Sequence, residues 1–250
     1  MDLDRRTFVL DSARLAAWFA VFQLGVERSA FASALAPNIE RWSRSIEDLC
    51  DGVLAGKVAP IAWQQSIAEL HSRIPLEDIV RFVDLDRVLA TLKPPERKLG
   101  AVQDVSWPRR VRFGHKLFVY RKGAMTPPHA HNELVSAHLV LRGEIRARTY
   151  DRIEDRTASM LIEPTGDAAV TPGQTVTMSS QRHNVHWFEG LTDVSVSLDV
   201  PVGGISRDPR HKLPAEGYNQ IFIDPTGRPS SAGRIDAPVI PFAESVKRFA

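Results

Sequence analysis

Cysteine is almost absent from this sequence, which contains only Cys50 among its 250 residues. A single cysteine excludes an intramolecular disulfide and any CxxC metal or redox motif. An excess of one charge is also missing, because 32 basic and 30 acidic side chains leave a net charge of +2. This balance argues against a strongly basic nucleic-acid-binding protein, so we expect no nucleic-acid partner. Hydrophobic residues make up 43% of the chain, which is enough for a folded core.

A long hydrophobic run is missing too. The uncharged apolar run at residues 15–26 is too short to cross a bilayer as a helix, so we expect no transmembrane segment. The run follows a twin arginine, Arg5 and Arg6, and precedes small residues with A-x-A spacing that end at Ala36. We interpret residues 1–36 as a twin-arginine signal, which predicts a periplasmic or otherwise exported protein. The alternative is an amphipathic first helix in a cytoplasmic protein.

Residues 37–106 are predicted to be a helical region. Apolar residues recur there every three to four positions in three stretches, which is the spacing of one helical face. Each stretch ends near glycine or proline, so we expect three helices whose apolar faces need a partner surface. Cys50 falls in the first stretch as a small core residue, and His71 in the second is expected to pack beside the apolar stripe. The stretches cover residues 39–53, 61–74 and 79–92.

From residue 107 the pattern changes to short runs of β-forming residues, separated by glycine, proline and aspartate. Runs that recur every eight to twelve residues, with no helical pattern between them, are typical of an antiparallel sandwich or small barrel. We therefore predict that residues 107–250 form a mostly β domain. The predicted strands cover residues 115–121, 134–142, 144–150, 159–163, 174–179, 193–200 and 218–223.

Histidines are concentrated in this second half of the chain. His129 and His131 stand at positions i and i+2, and on a β-strand such residues point to the same face. Two imidazoles placed in this way suit two ligands of one metal ion. Further along the chain His183 and His186 lie three positions apart, so they point to opposite faces of an extended strand. His211 is expected to be an ordinary surface or strand residue.

The histidine pair belongs to a wider motif. Gly123 precedes His129 with the spacing G-x5-H-x-H, and Gly143 follows at the next predicted turn. This arrangement resembles the first motif of the cupin family. The resemblance implies a mostly β fold, the cupin-type double-stranded β-helix or jelly-roll barrel, preceded here by the N-terminal helical region. It also implies a third metal ligand from a later strand, for which His186 is expected and His183 is the alternative.

Further segments narrow the resemblance. Arg-Thr-Tyr-Asp at residues 148–151, Asn-Val-His-x-Phe at 184–188 and Leu-Asp-Val-Pro at 198–201 are similar to the plant cysteine oxidase and cysteamine dioxygenase family. The likeness covers about residues 115–200. It implies a non-haem Fe(II) site and the addition of both atoms of O2 to the sulfur of a small thiol. Mn, Ni, Zn and Cu are the alternative metals.

Two positions depart from the family patterns. Cupins usually carry a glutamate four or five residues after the second histidine, where this sequence has Val135 and Ser136, so we expect three histidines and no carboxylate. The Pro-Pro-Tyr element of the cysteine oxidase and cysteamine dioxygenase family is replaced by Pro-Val-Gly-Gly at residues 201–204. These departures leave two alternatives: a non-catalytic cupin that binds a metal or small ligand as a sensor or carrier, and a cupin enzyme of other chemistry such as an isomerase.

The substrate pocket is expected on neighbouring strands. Asp199 is the candidate catalytic residue, either by orienting an imidazole or by contacting a substrate amine. Ser136 and His138 share one face of their strand and are expected to line the pocket, although His138 could instead be an ordinary hydrogen-bonded interior histidine. The expected partners are a small-molecule substrate and O2, and the resemblance to cupins implies a second copy of the chain in a homodimer.

Overall fold

The computed structural model describes residues 36–92, 99–215 and 219–250. Leu35–Ala250 make one compact unit. The signal predicted for residues 1–36 lies outside the described residues except for Ala36. Within the described ranges, no helix is long and apolar enough to cross a membrane. The described helices are α1 (Pro37–Leu54), α2 (Pro60–Arg73), α3 (Leu76–Phe82), α4 (Leu85–Thr91) and α5 (Phe242–Phe249).

The strands form two six-stranded sheets in which neighbouring strands run antiparallel. One has the order β1-β2-β9-β4-β10, with β7 also paired to β4, and we call it the helix-covered sheet. The other has the order β11-β3-β8-β5-β6-β12, and we call it the histidine sheet. The strands are β1 (Ala101–Asp104), β2 (Lys116–Arg121), β3 (Met125–His131), β4 (Leu134–Arg142), β5 (Ile145–Asp155), β6 (Ser159–Val170), β7 (Thr175–Met178), β8 (Val185–Gly190), β9 (Val194–Asp199), β10 (Val202–Gly203), β11 (Gln220–Phe222) and β12 (Ile235–Pro238).

The two sheets face each other across a shared apolar interior. Tyr120 and Val140 of the helix-covered sheet pack with Ala147 and Phe188 of the histidine sheet in one buried cluster. Strands that are distant in the sequence lie side by side, β2 beside β9 and β3 beside β8, which is the strand order of a jelly roll. The predicted fold class, a cupin-type double-stranded β-helix with helices near the N-terminus, is therefore confirmed.

Helices α1 and α2 cover the outer face of the helix-covered sheet. Ile46 and Trp63 are fully buried in the same apolar cluster as Leu198 of β9. A polar contact joins the same two layers, because Ser179 Oγ donates to Gln64 Oε1 at 2.8 Å. The apolar faces of these helices therefore find their partner surface on the barrel.

Strand β4 is buried on both of its faces. Its odd-numbered residues, such as Ala137 and Leu139, belong to the cluster that is shared with the helices. Its even-numbered residues, Ser136, His138 and Val140, point into the barrel. The strand therefore lies between the helical layer and the barrel interior, and each layer uses alternate side chains.

The third predicted helix is two helices in the structure, α3 and α4. They meet at Asp84, whose φ of 50° lies in the left-handed region. A residue in that conformation interrupts the helical hydrogen bonds even though the apolar spacing continues across it. The prediction of one helix over residues 79–92 is therefore wrong.

Strand β6 continues through Pro164-Thr165-Gly166, whereas the sequence predicts a strand over residues 159–163 only. Tyr150 pairs with Pro164 and Thr149 with Gly166, which leaves Thr165 as an extra residue in the ladder. Such a bulge accepts proline in a strand, because the extra residue already interrupts the ladder of hydrogen bonds. The predicted strand over residues 159–163 is therefore too short, because β6 runs to Val170.

Buried His71 makes the stability of the helical layer depend on pH. Its Nδ1 atom is 3.2 Å from Thr175 Oγ1, and burial lowers the pKa of the imidazole to about 3. In an unfolded chain the pKa is near 6.5, so between about pH 6.5 and about pH 3 only the unfolded state binds the extra proton. Burial of neutral His71 therefore has no proton-linked cost in stability above about pH 6.5. At about pH 5, protonation of this histidine in the unfolded state lowers the free energy of unfolding by on the order of 2 kcal/mol.

Chemical unfolding of the metal-free protein at about pH 7 and about pH 5 measures this effect. The control is His71→Gln, which keeps a polar side chain but does not titrate. We expect the difference in the free energy of unfolding between the two pH values to shrink by about 2 kcal/mol in the variant. The same pH dependence in both proteins would contradict this assignment.

Candidate metal centre

Three buried histidines meet on the inner face of the histidine sheet. His129 pairs with His186 across β3 and β8, and His131 follows two residues later on the same face. The ring centroids are 4.2 Å apart for His129 and His186 and 4.8 Å apart for His129 and His131. Each ring offers one nitrogen, and these nitrogens lie within 4.8 Å of one another. The three side chains could hold one metal ion.

The turn between β4 and β5 depends on Gly143. Its φ is 66°, and a Cβ atom there would lie 2.3 Å from the carbonyl oxygen of Val194. Only glycine fits such a close approach. The glycine that follows the histidine pair in the sequence motif therefore closes the hairpin that leads into β5, where Thr149 pairs with His186.

The second ring nitrogen of each histidine is held by a backbone carbonyl. A carbonyl oxygen only accepts hydrogen bonds, so each Nδ1 atom carries the hydrogen and donates it. Each Nε2 atom is left with a lone pair, which is the form that binds a metal. The Nδ1-to-oxygen distances are 2.9 Å for His129 and Pro127, 3.0 Å for His131 and Asn219, and 3.3 Å for His186 and Asn184.

Burial keeps the three imidazoles neutral. It lowers the pKa of His129 to about 4 and lowers the pKa values of His131 and His186 well below the usual value. For His131 and His186 the neighbouring imidazoles lower the pKa further. Neutral imidazole is the ligand form, and it suits iron, zinc, copper and nickel alike. The donor set therefore fits a divalent transition metal near neutral pH.

His183 lies in the bend before β8. Its φ is 54°, its backbone N–H donates to Asp151 Oδ1 at 2.7 Å, and its Nδ1 atom is 3.3 Å from the carbonyl oxygen of Thr177. The group of close ligand atoms does not include it. The structure thus places the alternative third ligand outside the histidine cluster.

A second polar cluster lies on the inner face of the helix-covered sheet. Ser136 donates a hydrogen bond to the carboxylate of Asp199, and His138 Nε2 lies 3.4 Å from Asp199 Oδ1. His138 Nδ1 is 3.2 Å from Ser197 Oγ, and Lys116 pairs with Asp199 across β2 and β9. The expected pocket residues Ser136 and His138 and the expected catalytic residue Asp199 therefore share one buried site.

Burial shifts the pKa values of this polar cluster toward the neutral forms. It raises the pKa of Asp199, against the opposing effects of His138, Ser136 and Lys116. It lowers the pKa of His138, against the opposing effect of Asp199. The buried environment therefore favours the neutral forms of both Asp199 and His138, while their mutual attraction favours the charged forms.

The sequence suggests two roles for Asp199, orienting an imidazole or contacting a substrate amine. In the structure other groups orient the imidazoles. Backbone carbonyls accept the Nδ1–H groups of the three clustered histidines, whereas Asp199 accepts a hydrogen bond from Ser136 and lies 3.4 Å from His138 Nε2. The backbone therefore orients the imidazoles in place of Asp199. Contact with the substrate is the role that its position in the barrel interior supports.

Phe188 connects the metal histidines with the polar cluster. Its ring centroid is 5.4 Å from that of His186 and 4.8 Å from that of His138. Phe118 packs edge-on against His138 as well, at 5.1 Å. The interior of the barrel therefore places three histidines that could hold a metal ion, two aromatic rings and the Asp199–His138 pair next to one another.

Residues that support His131 from behind carry little signal in the sequence. Asn184 Nδ2 donates to the carbonyl oxygen of His131 at 2.8 Å, and Arg152 Nη1 donates to the same oxygen at 3.3 Å. Asn184 stands in the motif around His186, so a supporting role could have been proposed for it. Arg152 lies outside that motif and beyond the predicted strand over residues 144–150. The pairing register of β5 also shifts between Arg152 and Glu154, so alternation along the strand does not predict where its side chain points.

A jelly-roll barrel with three buried histidines on its inner face defines the class of protein, a cupin-type barrel with a candidate metal centre. No protein-family profile and no curated protein sequence matches this chain. Among solved structures, the chain is similar to a protein from Thermus thermophilus, at 18% identity over 48% of this chain and 94% of that one, with a TM-score of 0.35.

Two further solved structures show a likeness of the same order. A cupin superfamily protein from Desulfitobacterium hafniense is 15% identical over 46% of this chain and 88% of its own, with a TM-score of 0.33. KdgF from Halomonas sp. is 14% identical over 44% of this chain and 84% of its own, with a TM-score of 0.34. Likeness at this level of identity concerns the fold alone, and the sheet order of this chain defines that fold by itself.

Proposed function

We propose that the protein is a non-haem iron dioxygenase that adds both atoms of O2 to the sulfur of a small thiol. The observation that carries the proposal is the donor set: three neutral imidazoles, with no carboxylate in the ligand group that the described residues form. Neutral ligands leave the +2 charge of the ion uncompensated, which favours capture of an anionic thiolate. The sequence resemblance to the thiol oxidases supports the same class of substrate.

The proposed reaction needs no further co-substrate. Two S–O bonds form and the O–O bond breaks, so the thiol becomes a sulfinic acid that keeps both oxygen atoms and one proton. The electrons lost by sulfur are those gained by O2, and the reaction balances without a reductant. When bound, Fe(II) would supply the Lewis acid that binds the thiolate and the redox contact with O2.

The residues of the polar cluster are placed to hold the other end of the substrate. A thiol whose sulfur lies at the three histidines would reach past Phe188 toward Asp199 and His138. The Asp199 carboxylate suits a substrate ammonium group, and His138 Nε2 can accept the proton that the thiol loses. The rings of Phe118 and Phe188 pack against His138 at this position, and apolar surroundings of this kind strengthen polar contacts.

Oxygen uptake by the iron-loaded protein tests this proposal. We expect consumption of O2 and thiol in equal amounts with at least one of cysteine, cysteamine and mercaptopropionate, and a product that is heavier than the substrate by two oxygen atoms. The control is the same protein after removal of the metal by a chelator, which should consume neither. Bound iron without consumption of any of the three thiols would refute thiol oxidation. An ion with no open coordination position would favour the non-catalytic sensor or carrier.

A further inference from the structure

A buried ion pair lies behind the metal centre. The side chains of Arg152 and Asp155 are only 1% exposed, and Arg152 donates to the two carboxylate oxygens of Asp155 at 2.6 and 2.5 Å. On the same strand, Arg146 forms a comparable pair with Asp167, but those side chains are 44% and 47% exposed. Removing both charges from water costs free energy that offsets their attraction, so a fully buried ion pair adds little net stability. Its other hydrogen bonds therefore indicate whether it positions neighbouring groups.

Asp155 holds the segment that precedes β11. Its Oδ2 atom accepts hydrogen bonds from the backbone N–H groups of Lys212 at 2.5 Å and Leu213 at 2.8 Å. Burial alone would raise the pKa of Asp155, but the hydrogen bonds from Arg152, Leu213 and Lys212 outweigh burial and lower it, so the carboxylate is charged. We call His211–Leu213 the clamped segment. His211, which was expected at the surface or on a strand, is buried in it.

Arg152 holds the strand that carries the metal ligands. Its Nη1 atom donates to the carbonyl oxygen of His131 at 3.3 Å and to Asn132 Oδ1 at 3.0 Å. Asn132 Nδ2 in turn donates to the carbonyl oxygen of Leu213 at 3.1 Å. The ion pair therefore contacts the backbone of a metal histidine on one side and the clamped segment on the other.

Asn219 adds a third link on the same side of the metal centre. Its carbonyl oxygen accepts the Nδ1–H of His131 at 3.0 Å, and its Oδ1 atom accepts the backbone N–H of Asn132 at 3.2 Å. Asn219 has a φ of 59°, a left-handed conformation that asparagine adopts more readily than most residues. The tautomer and the orientation of His131 therefore depend on the chain just beyond the clamped segment.

We propose that Arg152 and Asp155 are positioning residues that lock the clamped segment against the back of His131 and thereby set the affinity of the site for its metal ion. The inference rests on the metal centre of the proposed function and not on its thiol chemistry, because the pair contacts the backbone of His131 and not its metal-binding nitrogen. Outer-shell partners of metal histidines typically change metal affinity by about 10- to 100-fold. Metal binding in turn holds the clamped segment more firmly, because coupling between two sites acts in both directions.

The affinity of the full chain for Co(II), followed by the visible absorption of the bound ion, tests this inference. Arg152→Lys keeps the positive charge and loses the planar fork that binds Asp155 and His131 together. Arg146→Lys makes the same change in the exposed pair on the same strand and is the matched control. We expect Co(II) affinity to fall by about 10- to 100-fold in Arg152→Lys and to change by less than about twofold in Arg146→Lys.

Thermal unfolding with and without Co(II) separates positioning from stability. A purely structural pair would lower the melting temperatures of the metal-free and Co(II)-loaded proteins equally and leave the affinity unchanged, and that result would overturn the inference. We expect a larger loss in the Co(II)-loaded protein. Wild-type protein that binds Co(II) but oxidises no thiol when loaded with iron would refute the proposed function alone, because the Co(II) measurement uses no substrate.

A second variant keeps the inference testable if Arg152→Lys does not fold. Asn219→Gly keeps the left-handed backbone and the carbonyl that accepts from His131, and it removes only the Oδ1 link to Asn132. We expect Co(II) affinity to fall by about tenfold. Unchanged affinity in this variant, with a normal circular dichroism spectrum, would overturn the role of the network around the clamped segment.

Discussion

Replacing His129 with alanine is expected to abolish metal binding and every activity that depends on the metal. Its ring lies beside both other imidazoles, with centroids at 4.2 Å from His186 and 4.8 Å from His131, so its loss opens the centre of the ligand set. Removal of an outer-shell partner alone costs about 10- to 100-fold in affinity, and removal of a ligand is expected to cost more than about 100-fold. Elemental analysis of protein purified without added metal measures the effect directly.

The matched control for this experiment is His183→Ala. It removes a neighbouring histidine that the structure places outside the ligand group, and we expect its metal content to equal that of the wild-type protein. Full metal content in His129→Ala would show that the ion binds elsewhere. Loss of the metal in His183→Ala would instead favour the alternative third ligand.

Replacing Trp63 with alanine is expected to produce the largest loss of stability. The indole is completely buried between α2 and the helix-covered sheet. Truncation of a buried tryptophan removes its apolar contacts and leaves a cavity, which typically costs about 3 to 5 kcal/mol. This is a large part of the stability of an ordinary domain, about 5 to 15 kcal/mol. Urea unfolding, followed by circular dichroism, gives the change in the free energy of unfolding.

Ile61→Ala on the same helix is the control for this substitution. Ile61 is 36% exposed, so its truncation removes little buried surface, and we expect a loss of less than about 1 kcal/mol. Equal losses in the two variants would show that the packing of α2 against the barrel contributes little to stability.

The arrangement of the histidines follows from the simplest rule of strand geometry. Alternate residues of a strand share a face, so His129 and His131 point the same way, and the three-residue spacing of His183 and His186 separates those two. The structure brings His129, His131 and His186 together and leaves His183 in the bend. Local periodicity is sufficient for His129 and His131, which are close together in one strand. The approach of His186 to His129 depends instead on the pairing of β3 with β8.

The supporting network could not be derived in the same way. Asp155 contacts Lys212 and Leu213, and this contact across more than fifty positions depends on how the whole sheet folds. The bulge in β5 also breaks the alternation that would predict the direction of the Arg152 and Asp155 side chains. The predicted strand ranges omit β1, β10 and β12 because strands of two to four residues carry almost no periodic pattern. They also omit β3 and β8, although His129, His131 and His186 are expected on strands.

Strand β4 limits how the helical region of this protein can change during evolution. Ala137 and Leu139 are apolar because helices cover them, while Ser136 and His138 on the opposite face serve the polar cluster. A descendant without α1 and α2 would expose an apolar surface directly behind its polar cluster. The helical region is therefore not an interchangeable module, and its loss would require new residues along the outer face of β4.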